Sequence, residues 1–156
     1  MPPPSSRPRP SLLAYGYLTP FAALSVYGLL GLWGWWTGTL GLVQPRSYDA
    51  ALPANACVCL LLIGLAPGAL AFGWRRTGLA LGLIASVVAW ATLIQSPLKL
   101  DLGIDDLLVT HESVIAGPNV ARMPAALSFL LMAGGLLFTW MAARPGDPRR
   151  PLLLAL

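Results

Sequence analysis

The chain has 156 residues, of which 56% are hydrophobic and only 10% charged, and its mean hydropathy is +0.70. Soluble domains carry roughly a quarter charged residues, so this balance excludes an ordinary water-soluble bundle and indicates a chain built for lipid. The formal charge of +4 does not point to nucleic acid, because the basic residues stand in small clusters beside apolar runs, where they match anionic headgroups.

Residues 1–18, MPPPSSRPRPSLLAYGYL, are rich in Pro, Ser and Arg and read as a disordered cytoplasmic tail. The first apolar run, 19–43, opens with Thr19 and Pro20, a plausible helix start. Tyr15 and Tyr17 at one end and Trp33, Trp35 and Trp36 at the other fit two interfacial aromatic belts. This run is too long for a signal-peptide core and shows no cleavage site, so it reads as an anchor that stays in place. A short outer loop, 44–52, leads to the second run, 53–74, in which Pro67 is expected to kink the helix. Arg75 and Arg76 precede the third run, 77–95; a longer polar outer loop, 96–123, follows, and the fourth run covers 124–143. Trp74 and Trp140 mark the interface beside the arginines. Each run has about the ~20 residues needed to cross ~30 Å of hydrocarbon, and none contains Asp, Glu, Lys, Arg or His. Residues 145–156 end in RRPLLLAL, which reads either as a cytoplasmic tail or as the opening of a further helix.

The flanking charges set an expected orientation, since cytoplasmic loops retain Lys and Arg. Arg7, Arg9, Arg75, Arg76, Arg144, Arg149 and Arg150 fall on one side with Asp147. Arg46, Lys99 and Arg122 fall on the other, with Asp49, Asp101, Asp105, Asp106 and Glu112. The expected fold is therefore an all-α four-helix transmembrane domain over 19–144 with both termini in the cytoplasm.

Glycine spacing gives candidate packing positions, because small residues let helix backbones approach closely in lipid. Gly34 with Gly38, Gly64 with Gly68, and Gly78 with Gly82 each have GxxxG spacing, although glycine is also common in membrane helices without a specific interface. An internal repeat is also visible. LPANACVCLLLIG from Leu52 to Gly64 and MPAALSFLLMAG from Met123 to Gly134 each follow an outer loop, so that each copy is one helical hairpin. Shared letters between leucine-rich spans also arise by chance.

Chemistry-bearing residues concentrate in the long outer loop. Asp101, Asp105, Asp106, His111 and Glu112 are suitable ligand types for a divalent cation or a small-molecule contact, but no EF-hand or HExxH spacing is present, and a solvated or interfacial loop is the better account of them. Leu98, Leu100, Leu102, Ile104, Leu107 and Leu108 interleave with those acids as a short amphipathic element on the membrane surface would. Cys57 and Cys59 are two residues apart, about 200° around a helix, and read as apolar packing residues rather than a redox or metal pair. One histidine excludes a bis-histidine haem within the chain, and no metal site, cofactor or catalytic constellation is spelled out, so the chain does not read as an enzyme.

LKLDLGIDDLL from Leu98 to Leu108, followed by a polar loop and ARMPAALSFLL from Ala121 to Leu131, resembles the membrane-embedded N-terminal sensory region of bacterial sensor histidine kinases and diguanylate cyclases. In that group a DLGID segment leads to a helix start of the form RMxPNTALxFLLLGL. Asn55 stands where the first copy carries the family-like asparagine, whereas Pro124 or Ala125 replaces it in the second. The resemblance spans roughly residues 20 to 144 and implies a sensory input region in the bacterial inner membrane. It would relay a periplasmic or bilayer stimulus to a cytoplasmic output module and act as a dimer or with a membrane partner. A small transporter and an accessory subunit are the rival readings; the transporter is disfavoured by spans without ionisable residues.

Overall fold

Segments that are apolar on every side must satisfy their backbone amides and carbonyls internally, and the α-helix does this within one segment. The computed structural model describes residues 12–44, 51–98 and 123–144. Five helices follow in order: α1 (Leu12–Thr37), α2 (Leu40–Val43), α3 (Ala54–Ala71), α4 (Arg75–Leu98) and α5 (Ala125–Ala143). Four of them, all but α2, are long and apolar enough to cross a membrane. Among the described residues there is no strand.

The first span departs from expectation at both ends. Helix begins at Leu12 rather than Thr19, so residues 12–18 are helical and Pro20 lies inside α1. There the proline has no N–H to donate to the carbonyl of Gly16. At the other end α1 stops at Thr37, not Val43. Gly38 takes φ +69°, and the Thr39 amide donates to the Gly34 carbonyl at 2.9 Å, closing a Schellman cap before the single turn α2. The same device ends α3: Gly73 takes φ +80°, with its amide on Leu70 O (3.0 Å) and that of Trp74 on Ala69 O (2.8 Å). Helix α3 runs on through Pro67, whose side chain is fully buried.

Successive contacts fix the directions. From one end to the other, α1 meets the lead-in to α3 at Trp35 with Leu52, and α3 itself at Gly31 with Cys57 and Ser25 with Gly64, so the two are antiparallel. Helices α4 and α5 are antiparallel as well, through Thr92 with Ser128, Gly82 with Gly135, and Arg75 with Ala142. Between the hairpins, Cys59 meets Ala85 and Leu70 meets Gly78, placing α3 against α4. Helix α3 is the centre of the bundle, with 67% of its span buried against 28% to 33% for the other three. Its inner faces build the main core: Ala56, Leu60, Ile63, Ala66 and Leu70 against Ala85, Ala89, Leu131, Phe138 and Met141. A smaller core of Trp35, Val43, Ala51, Ala54 and Cys57 closes the α1–α2–α3 corner.

The outer faces stay apolar. Leu29, Trp36, Val87, Trp90, Phe129 and Leu130 are all more than half exposed. A monomer in water rarely presents a patch of this extent, whereas lipid tails cover it at no cost, so the chain is a multi-pass membrane protein. Trp33 and Trp36 are exposed, as belt residues would be, with edge-to-face rings 5.5 Å apart. Trp35 is not one of them: it is buried and donates Nε1–H to Leu52 O at 2.7 Å. The side chains of Tyr15 and Tyr17 lie outside the described ones.

Candidate functional site

Polar side chains inside a membrane bundle must find partners, and here the helices supply most of them locally. Ser25 donates to Phe21 O, Ser128 to Pro124 O and Thr139 to Gly135 O, each four residues back. Asn55 accepts the Ala56 amide at 2.8 Å in the first turn of α3, where Pro53 offers no side-chain cap, so its carbonyl oxygen takes up an amide with no partner in the helix. That is a local reason for the asparagine of the first copy.

The richest polar arrangement is the seam between α4 and α5. At one end Thr92 Oγ1 lies 3.4 Å from Ser128 Oγ and 3.9 Å from the Met123 sulfur, with Gln95 buried one turn on. In the middle Ser86 Oγ is 2.9 Å from Gly82 O on its own helix and 3.3 Å from Met132 O on α5, so one hydroxyl proton serves both helices. Gly82 and Gly135 face each other here: a Cβ added to Gly82 would sit 2.8 Å from Gly135 O, and one on Gly135 would sit 2.6 Å from Gly82 O. Only glycine permits this approach.

At the far end the guanidinium of Arg75 closes the seam. Its Nε donates to Ala142 O, and one terminal nitrogen donates to Ala143 O at 2.7 Å and to Arg144 O. The last carbonyls of a helix have no intrahelical donor and carry its negative dipole end, which a rigid five-donor cation complements. Arg75 opens α4, where a cation opposes the positive end of its own helix dipole. The C-terminus of α5 supplies the compensation, and the Arg75 fork ties the two helix ends together.

The glycines singled out by spacing separate into different roles. Gly64 is a close approach, 2.7 Å from the Ser25 amide once a Cβ is added, and Gly78 seats Leu70. Gly82 faces α5 as described. Gly34 is buried against Leu42 and Val43 of its own corner rather than against another span, and Gly38 is a cap with open space around it. Gly68 likewise touches nothing within 4 Å. Each GxxxG pair other than Gly78 with Gly82 therefore contributes at most one packing glycine. Sequence spacing missed Gly28, which faces Cys57 O and Leu61, Gly31, which faces the Cys57 sulfur, and Gly135. The readable signal for Gly64 and Gly135 is their shared position: each lies eleven residues beyond the proline N-cap of its helix, Pro53 or Pro124, and each meets a serine on the neighbouring helix. Cys57 faces α1 whereas Cys59 Sγ points at Ala85 O of α4 (3.6 Å), in keeping with their angular separation.

Asp101, Asp105, Asp106, His111 and Glu112 lie outside the described residues. Comparison with protein-family models, with curated proteins and with solved structures finds no match to this chain.

Proposed function

We propose that this chain is the sensory input region of a bacterial inner-membrane signalling protein of the histidine kinase or diguanylate cyclase type, with both termini in the cytoplasm. In this reading the hairpins α1/α3 and α4/α5 are two copies of one unit, and the segment 96–123 faces the periplasm. The observation that supports the relay is the α4/α5 seam. Thr92 with Ser128 joins the helices at the end nearest that segment, Gly82 with Gly135 holds them close at the middle, and Arg75 grips the exit of α5. A stimulus that displaces the periplasmic end of α4 or α5 moves the pair as one lever against α3, and the displacement emerges at Arg144. Interfaces packed this closely switch between discrete arrangements rather than deform continuously.

Joining residues 1–144 to a diguanylate cyclase module and measuring its product tests the relay without knowledge of the stimulus. Arg75→Ala and Gly82→Leu should each change output about fivefold or more, the lower range of usual coupling free energies, while Gly68→Leu leaves it unchanged. Equal output from all three variants at equal membrane abundance would sink the relay. Orientation has its own check: a fluorescent reporter placed after Arg144 should fold and light up, and a periplasmic phosphatase at the same site should stay inactive.

A further inference from the structure

Among the described residues the only Asp, Glu, Lys or Arg side chains are Arg75, Arg76 and Arg144, and all three stand at one rim of the bundle. The Arg75 guanidinium donates to the backbone carbonyl of Arg144, which brings the two positions into contact, and Arg76 is its neighbour at the start of α4. Their roles differ. Arg75 is partly buried and spends its donors on the α5 carbonyls, whereas Arg76 and Arg144 are exposed. Arg144 holds its guanidinium over the Trp140 ring, 3.4 Å from the centroid. A contact of this kind restrains the guanidinium while leaving N–H groups open to a planar or tetrahedral oxyanion. Trp74 and Phe72 are exposed beside the α4 start, with ring centroids 6.0 Å apart, and Trp140 is half exposed on α5. Asp147, the nearest acid in the sequence, stands among Arg144, Arg149 and Arg150, so the segment beyond α5 keeps a surplus of positive charge.

We propose that this rim, with its exposed Arg76, Arg144, Trp74 and Trp140, binds the phosphate of an anionic phospholipid, the two arginines supplying the charge. The partner follows from charge and place. The rim has a surplus of guanidinium, it lies at the end of helices whose sides face lipid tails, and its tryptophans are the residues that settle at headgroup depth. A lipid bound there would sit on the residue that follows α5, so the composition of the bilayer would bear on the position of the α5 exit. The site itself stands on the membrane placement alone and does not need the sensory reading.

The test uses the full chain purified in detergent and titrated with phosphatidylglycerol or phosphatidylcholine, with bound lipid counted by native mass spectrometry. Phosphatidylglycerol should be retained preferentially, inorganic phosphate should not displace it, and rising salt should weaken it. Each arginine near a membrane surface contributes about fivefold in affinity, the ~1 kcal/mol expected per basic residue, so Arg76→Gln with Arg144→Gln should lower retention about 25-fold. Arg76→Lys with Arg144→Lys should recover part of it. Circular dichroism reports whether the double glutamine variant keeps its helices; if it does not, Arg76→Gln alone and the salt titration of the unaltered protein carry the decision. Equal retention of the two lipids, displacement by inorganic phosphate, or full phosphatidylglycerol retention by the folded variant overturns the proposal.

Discussion

Hairpin α1/α3 and hairpin α4/α5 both cross over a glycine that faces a serine, Gly64 with Ser25 and Gly135 with Ser86. Away from that crossing they are joined by different means. Helix α1 meets α3 through further bare backbone, Gly28 against Cys57 O and Gly31 against the Cys57 sulfur, and Trp35 donates to the Leu52 carbonyl just before α3. Helix α5 meets α4 through side-chain donors along its whole length, from Thr92 and Ser128 to the Arg75 fork. Without a hydrophobic drive in lipid, either close packing or hydrogen bonding can join two helices, and this molecule uses one for each hairpin. Packed glycines fix distance; donors fix register and the helix end.

The largest effect expected is at the shared crossing. Gly135→Leu forces a side chain into the Gly82 carbonyl, and Gly64→Leu forces one into the α1 backbone. Overpacking ordinarily costs about 1–3 kcal/mol, and with backbone on the far side the upper end applies to both. Denaturant unfolding in mild detergent should show similar losses for the pair and little change for Gly68→Leu; a Gly135→Leu loss no greater than that of Gly68→Leu would break the symmetry between the hairpins. Arg75→Ala comes next, at about 1.5–2 kcal/mol for charge-assisted bonds to helix-end carbonyls, confined to hairpin α4/α5. Hydrogen exchange should quicken in the last turn of α5 while α1 keeps its protection, and equal quickening in both hairpins would show that the fork is not local.

A smaller change probes the corner of the first hairpin. Trp35→Phe retains most of the ring packing but removes the donor to Leu52 O, an expected loss of about 1 kcal/mol by thermal melting. No measurable loss would mean that this bond does not hold the corner of hairpin α1/α3. Thr92→Val is the mildest, at about 0.6 kcal/mol, the average for a side-chain hydrogen bond between membrane helices. A cost above that of Arg75→Ala would shift the main tie of hairpin α4/α5 from the Arg75 end to the Thr92 end.

Four spans and their lipid-facing character are set by composition alone: runs such as 53–74 and 124–143 lack charge, and an uncharged run of that length has only the helix as a way to satisfy its backbone in lipid, whereas the helix ends shift, α3 stopping at Ala71 and α4 running from Arg75 to Leu98. The clustering of Arg75, Arg76 and Arg144 is likewise written in the chain. Tertiary structure decided which glycines matter. GxxxG spacing is a property of one helix, whereas close approach depends on what the neighbour presents, so Gly82 found Gly135, Gly38 became a turn and Gly68 met nothing. It also decided the role of Arg75, because the sequence places that cation against its own helix dipole and only the antiparallel packing of α5 brings three carbonyls within its reach.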